Sequence, residues 1–488
     1  MPITTEQACD PSPTPVSRNQ MNESSTAYGV GDQEIDPYTQ GQNEAVAPPK
    51  TFAGRLKHLG PSVIVSGSIV GSGELLLTAG LGAVAGFTLL WWVLVSCWSK
   101  SIVQAEITRY CISTGDTYMR ALNRLPGRIP GPVQPVGWPI WLAVLSFFPG
   151  IFGLGGIVGG AGQGLALIFD GLNPTVATGI VSLGAIAILA TGSYRYLERI
   201  MIGLVMSFTV ITLFSSGVMQ TTEFQMTMDD LVEGFSFHFP LALAALAIAM
   251  YGYTGVNGGE IAAYTYWCVE KGYPKYIGSD PSEPGWVDRA KGWLKVLHSD
   301  VWLTLIILTF ATVPFYLLGA GVLHATGARP EGLETVEVLA GMFTGTLGGW
   351  SLLLFAVGAF CILFSTTLSG VGAGGRIFPD YVVEFGFIKR TKINRKVWTR
   401  GYVIVIPIIA FFLDLGFQRP IFLVMISATF AAITLPIQSG ATLWLQARHM
   451  DQRIKPSLLV KSGLWLTFVF QLLMSIFVLW FTFTTQFS

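Results

Sequence analysis

Long apolar stretches separated by short polar segments recur along most of the chain. Windows long enough to cross about 30 Å of hydrocarbon fall near 60–81, 86–113, 138–169, 174–192, 200–219, 239–270, 299–320, 349–373, 401–417, 420–446 and 462–485. The pattern predicts an all-α polytopic membrane protein with eleven transmembrane helices. Residues 1–50 have no such window. They are polar, rich in Ser, Thr, Gln, Pro and Gly, and lack the basic flank and apolar core of a signal peptide, so they read as a disordered cytoplasmic tail.

Two windows are interrupted. The first contains Gly71-Ser72-Gly73 followed by Glu74, and the sixth carries glycines at 252, 255, 258 and 259 between Tyr251 and Glu260. Each glycine weakens a helix by roughly 1 kcal/mol, and backbone freed at membrane depth must face protein or a water-filled cavity. Gly71, Gly73, Gly258 and Gly259 are therefore the expected helix breaks. The interrupted windows are five apart, the spacing of a five-helix unit repeated with inverted topology and a binding site where the broken helices meet. On that reading residues 51–219 and 239–446 are the two repeats, and 462–485 is an extra helix.

Charge sets the orientation. With the N-terminus inside, twenty-five Lys and Arg fall in inside segments and only Arg329 and Arg419 outside, while Lys100 and Arg109 lie within the second window. The segment with Glu223, Asp229, Asp230 and Glu233 carries no base, which agrees with an outside position. The expected location is a cell (plasma or inner) membrane, with the N-terminus cytoplasmic and the C-terminus outside.

Buried charge marks the candidate chemistry. A carboxylate at the bilayer centre costs at least about 2.5 kcal/mol, so Glu74 and Glu260 each need a partner. One reading has both facing a single cavity and sharing a cation, helped by the freed backbone carbonyls of Gly71 and Gly255 and by Asn257 in the same break. The other makes one of them a structural acid paired with Lys100 or Arg109. Lys100 is a possible charge partner, a stand-in for a cation, or a snorkelling side chain. Glu106 and Arg109 are three apart and should pair on one helix face.

Composition narrows the classes. With 51% hydrophobic and 12% charged residues and no net charge, nucleic-acid partners are excluded. Cys9, Cys97, Cys111, Cys268 and Cys361 have neither disulfide-framework nor zinc spacing and read as packing residues. No histidine has metal-ligand spacing and no nucleophile–base constellation is visible, so the chain does not read as an enzyme and implies no cofactor. Oligomeric state is not legible.

Motif order and spacing add a resemblance. Gly60-Pro61, the Gly71–Glu74 break, Gly82-Ala83, Gly86-Phe87, Leu89-Leu90-Trp91, Gln104, Arg109 and Ile112–Gly115 follow in register. So do Tyr194–Arg199, Leu354–Gly358 with Gly372–Gly374, Asn394-Arg395-Lys396 and Leu435-Pro436. This set resembles the natural-resistance-associated macrophage protein (Nramp) family of divalent-metal transporters, which implies a leucine-transporter-like fold of two inverted five-helix repeats plus one helix. The resemblance places Gly71 and Glu74 where the family has its metal-binding aspartate and asparagine. Gly255, Gly258 and Glu260 take the places of its alanine, methionine and histidine, and Ala428 that of a glutamine. Residues 141–169 contain none of the acids that the family uses as a proton route.

Carboxylates and carbonyls without a thioether suit Mg²⁺, Ca²⁺ and Mn²⁺, and small residues at 71, 258 and 428 would leave room for retained water. The expectation is a divalent-cation transporter preferring a harder ion, with weak or absent proton coupling. The alternative is a carrier of a small organic solute, an amino acid or amine, of the amino acid–polyamine–organocation type.

Overall fold

The computed structural model describes Asp36, Tyr38, residues 44–59, Pro61, 71–191 and 194–486. The upstream half of the first window, 62–70, lies outside the described residues. The chain is a multi-pass membrane protein. Among the described residues eight helices are long and apolar enough to cross a bilayer.

In chain order the helices are α1 (Phe52–Leu56), α2 (Ala79–Ala85, continuous with a π-helical turn over Gly73–Thr78), α3 (Leu90–Thr114), α4 (Tyr118–Asn123), α5 (Trp138–Ile168) and α6 (Pro174–Thr191). They continue as α7 (Tyr194–Met219), α8 (Met228–Gly234), α9 (Ala244–Tyr253), α10 (Gly258–Glu270), α11 (Tyr273–Ile277) and α12 (Trp286–Leu318, running into a second π turn at Gly319–Leu323). The last are α13 (Thr335–Leu347), α14 (Ser351–Glu384), α15 (Lys392–Phe417), α16 (Pro420–Arg448) and α17 (Leu458–Gln486). A two-residue hairpin, Arg128–Ile129 against Val136–Gly137, leads into α5. α3 is helical for 25 residues but carries Lys100, Glu106 and Arg109, which keeps it out of the simple apolar class.

α5 is the central element and packs on α6, α14, α15 and α16, while α9 lies on α16 and α3 on α12. In lipid there is little hydrophobic drive between helices, so close approach through small residues does the packing. A Cβ on Gly252 would fall 1.9 Å from Ala428 O, one on Gly319 2.3 Å from Ala79 O, and one on Gly156 2.4 Å from Pro420 O. These neighbours are backbone atoms and cannot swing aside. We expect Gly252→Ala to push α9 from α16 and to destabilise the protein by about 2 kcal/mol, read as a lowered thermal unfolding temperature in detergent. Gly217→Ala, with nothing within 4 Å of the new Cβ, is the control; equal unfolding temperatures for both variants would refute the close-packing account.

The bundle has a basic and an acidic end. At the basic end Arg453 donates to Pro281 O and Gln134 to Glu384 O, which joins the connections around 125–137, 271–285, 385–391 and 449–457. The acidic end is closed by several contacts: Arg329 donates to Ala83 O, Thr88 bonds Glu233, and Gln163 bridges Gly332 O and the Val336 N–H.

Part of the expected tail is attached to the body. Asp36 pairs with Arg395 at 3.0 Å, and the Tyr38 hydroxyl donates to Glu270. The Glu44 and Val46 amides donate to Lys275 O and Tyr276 O, both at 3.1 Å. Residues 1–35 lie outside the described residues.

Candidate functional site

The second break lies a few residues upstream of the position read from the glycines. α9 ends at Tyr253, residues 254–257 are non-helical, and Gly258 and Gly259 open α10 instead of interrupting a helix. Two residues set this geometry. Gly255 adopts φ +74°, a left-handed conformation that L side chains rarely take, and Asn257 caps α10. The Asn257 Oδ1 accepts from the Glu260 N–H at 3.0 Å and Glu260 Oε2 accepts from the Asn257 N–H at 2.9 Å, a reciprocal capping box. At the first break Ser72 is already right-handed helical, with φ −64° and ψ −33°, and neither Gly71 nor Gly73 has positive φ.

Glu74 joins the two breaks. It is fully buried, its Oε2 accepts from the Gly71 N–H at 3.1 Å, and its Oε1 accepts from the Gly255 N–H at 3.2 Å and from the Thr312 hydroxyl at 3.3 Å. Gly71 and Gly255 thus turn N–H groups toward the site instead of the expected carbonyls. The Gly71 carbonyl is taken by the Leu75 N–H at 3.0 Å. A buried carboxylate held by three donors ties helix ends together. We expect Glu74→Gln to act on stability: an amide offers one acceptor oxygen, so one backbone N–H loses its partner at a cost of about 1–3 kcal/mol. Thermal unfolding checks it. An unchanged unfolding temperature with abolished uptake would instead make Glu74 a ligand of the cargo.

Lys100 is also fully buried, on α3. Its ammonium donates to the carbonyl oxygens of Tyr251 and Thr254 at 2.5 Å each and to Ser96 Oγ at 3.4 Å, and lies 4.9 Å from the centroid of the Tyr251 ring. The acceptors are uncharged oxygens, so a carboxylate is not the partner here. The expected Glu106–Arg109 bridge is present at 2.9 Å and is extended by Gln446 of α16.

Two adjoining cavities of about 250 and 230 Å³ start at the second break. They share Phe147, Gly150, Tyr253, Asn257, Gly259 and Ile377. The larger extends past Gly258, Ser427 and Gln438 to Tyr118, Leu122 and Pro139, toward the basic end. The smaller reaches Ser72, Gly73, Glu260, Trp267 and Tyr402. Glu260 is the acid in these walls; Glu74 and Gly71 lie behind them.

The structure therefore brings Asn257, Gly259, Gly73 and Glu260 to the smaller cavity, puts Gly258 with Asn257 and Gly259 in the wall of the larger one, and places Glu74, Gly71 and Gly255 in the joint beside them. Of the three small residues expected to leave room for water, only Gly258 lines the space. Ala428 is filled against by Gly252. Among the described residues no three His, Cys, Asp or Glu side chains converge on a point that would hold a metal ion. Phe147, Tyr253 and Tyr402 were not legible as wall residues because aromatics occur all along the apolar windows. Ser96, one helical turn before Lys100, is the one signal that could have marked the lysine's surroundings.

Comparison with known proteins agrees with the architecture. The family model "Natural resistance-associated macrophage protein-like" matches residues 62–481. No curated protein matches the sequence. Among solved structures, a manganese transporter of Eremococcus coleocola is similar with TM-score 0.63 and 16% identity, over 90% of this chain and 89% of that one. MhsT in complex with L-phenylalanine is similar with TM-score 0.55 and 15% identity, over 90% of this chain and 100% of that one. At such identities the likeness is one of fold.

Proposed function

The chain belongs to the natural resistance-associated macrophage protein-like family, and on that footing we propose that it transports a divalent cation by alternating access, with a preference for a harder, water-retaining ion and weak or absent proton coupling. The observation that carries the reading is the 230 Å³ cavity at the second break, with Glu260 and Asn257 in its wall. Six waters occupy roughly 180 Å³ at about 30 Å³ each, so the cavity has volume enough for a hexahydrated ion, as suits Mg²⁺. A single carboxylate supplies attraction without forcing dehydration. The manganese transport of the Eremococcus neighbour supports the cargo class. Residues 141–169 carry no acid that could relay a proton. The bias of Lys and Arg supports a cytoplasmic basic end and N-terminus, with the cavities reaching inward.

The aromatic walls, Phe147, Tyr253, Trp267 and Tyr402, favour a second reading: a small organic cation held by Glu260 and aromatic faces. Uptake into proteoliposomes separates the two. Saturable accumulation of Mg²⁺ or Mn²⁺ is expected; accumulation of methylamine or an amino acid without divalent uptake would replace the first reading by the second.

A further inference from the structure

Where α9 stops, its last carbonyls have no helical partner. In a continuing helix Tyr251 O would accept from the Gly255 N–H, but that N–H is given to Glu74. Tyr251 O and Thr254 O instead converge with Ser96 Oγ, which itself donates to Thr254 O at 3.0 Å. Three oxygens thus surround one point at the negative end of a half-helix, the arrangement in which unwound carbonyls hold a monovalent cation. At that point lies the Lys100 ammonium, with three N–H donors for three acceptors and the face of Tyr251 beside it.

We propose that this is a monovalent-cation site whose cation is part of the chain: the Lys100 ammonium fills the place that Na⁺ or K⁺ would take among the same oxygens. The break in α9–α10 is then held without a free co-ion, and transport needs no alkali-metal gradient. That consequence rests on the transport reading; the site itself does not.

Thermal unfolding of the purified full-length protein tests the site without reference to transport. Wild type should unfold at one temperature in NaCl, KCl or choline chloride. Lys100→Ala empties the cage: in choline chloride its unfolding temperature should drop by 5 °C or more, and at least half of the loss should return with 150 mM Na⁺, K⁺ or methylammonium. Lys100→Arg, which keeps the charge, should lose less. If Lys100→Ala does not fold, Lys100→Gln takes its place, since it keeps amide donors but no charge, and the same cation rescue is expected. Indifference of the neutral variants to all three cations, or a Lys100→Gln as stable as wild type in choline, overturns the proposal. So does a wild type that Na⁺ already stabilises over choline. Cation rescue in a protein that moves no divalent ion would leave this site standing and count against the transport reading alone.

Discussion

Glu260→Gln is expected to lower divalent-cation uptake at least tenfold while leaving the unfolding temperature within about 2 °C. The two effects separate because glutamine also serves at the third position of a capping box, so the start of α10 keeps its hydrogen bonds and only the charge is removed. A divalent ion one water layer away, about 5 Å from the carboxylate, gains between about 1.7 kcal/mol in a water-like medium and about 7 kcal/mol at an effective dielectric constant of 20. Even the lower figure exceeds a factor of ten in binding. Initial uptake rates in proteoliposomes, measured below saturation, decide it. Uptake within threefold of wild type would remove Glu260 from the cargo site.

The largest loss of stability is expected at the basic end, from Arg395→Ala. Arg395 is buried, pairs with Asp380 and with Asp36, donates to Arg376 O at 2.9 Å, and lies 4.3 Å from the Tyr38 ring centroid. Asp380, fully buried near the end of α14, also accepts from Arg390 and from the Tyr266 hydroxyl of α10. One guanidinium therefore connects α10, α14, α15 and the segment upstream of the bundle. Removing one partner from a buried ion pair costs about 3–5 kcal/mol because the other charge stays buried. Arg395→Lys should fall between, since an ammonium cannot reproduce the planar fork. An Arg395→Ala variant that unfolds within 1 °C of wild type would show that these charges are hydrated instead of interlocked.

The helices were legible where the chain had to repeat itself physically: bilayer-length apolar runs identify α5, α6, α16 and α17 to within a few residues, whereas α12 starts at Trp286, α14 ends at Glu384 and α15 starts at Lys392, well outside their apolar windows, because charged turns at the basic end are helical too. That the sixth window is broken was legible from its four glycines, but the place of the break was not: Gly258 and Gly259 open α10 because Asn257 caps it. The Glu106–Arg109 pair was legible from its spacing, but the partners of Glu74 and Lys100 were not. Glu74 is answered by the N–H groups of Gly71 and Gly255, and Lys100 by carbonyls of Tyr251 and Thr254, and backbone groups leave no mark in a residue pattern. Ala428 misled in a different way: a small residue signals a space or a close approach equally well, and the choice depends on Gly252 across the interface.

The two π-helical turns have a mechanical consequence. Gly73–Thr78 leads into α2, and Gly319–Leu323 ends the helix that packs on α2, with Gly319 close enough that a Cβ would collide with Ala79 O. A π turn holds a residue that an α turn does not, and one residue corresponds to about 100° of helix rotation. Hydrogen exchange at the Ala79 and His324 amides, which bond to Glu74 O and Gly319 O, reads whether either surplus residue is released. Release of the surplus residue in the first turn would rotate Glu74 by about 100° and shift it by about 1.5 Å, which would break its hydrogen bond with the Gly255 N–H.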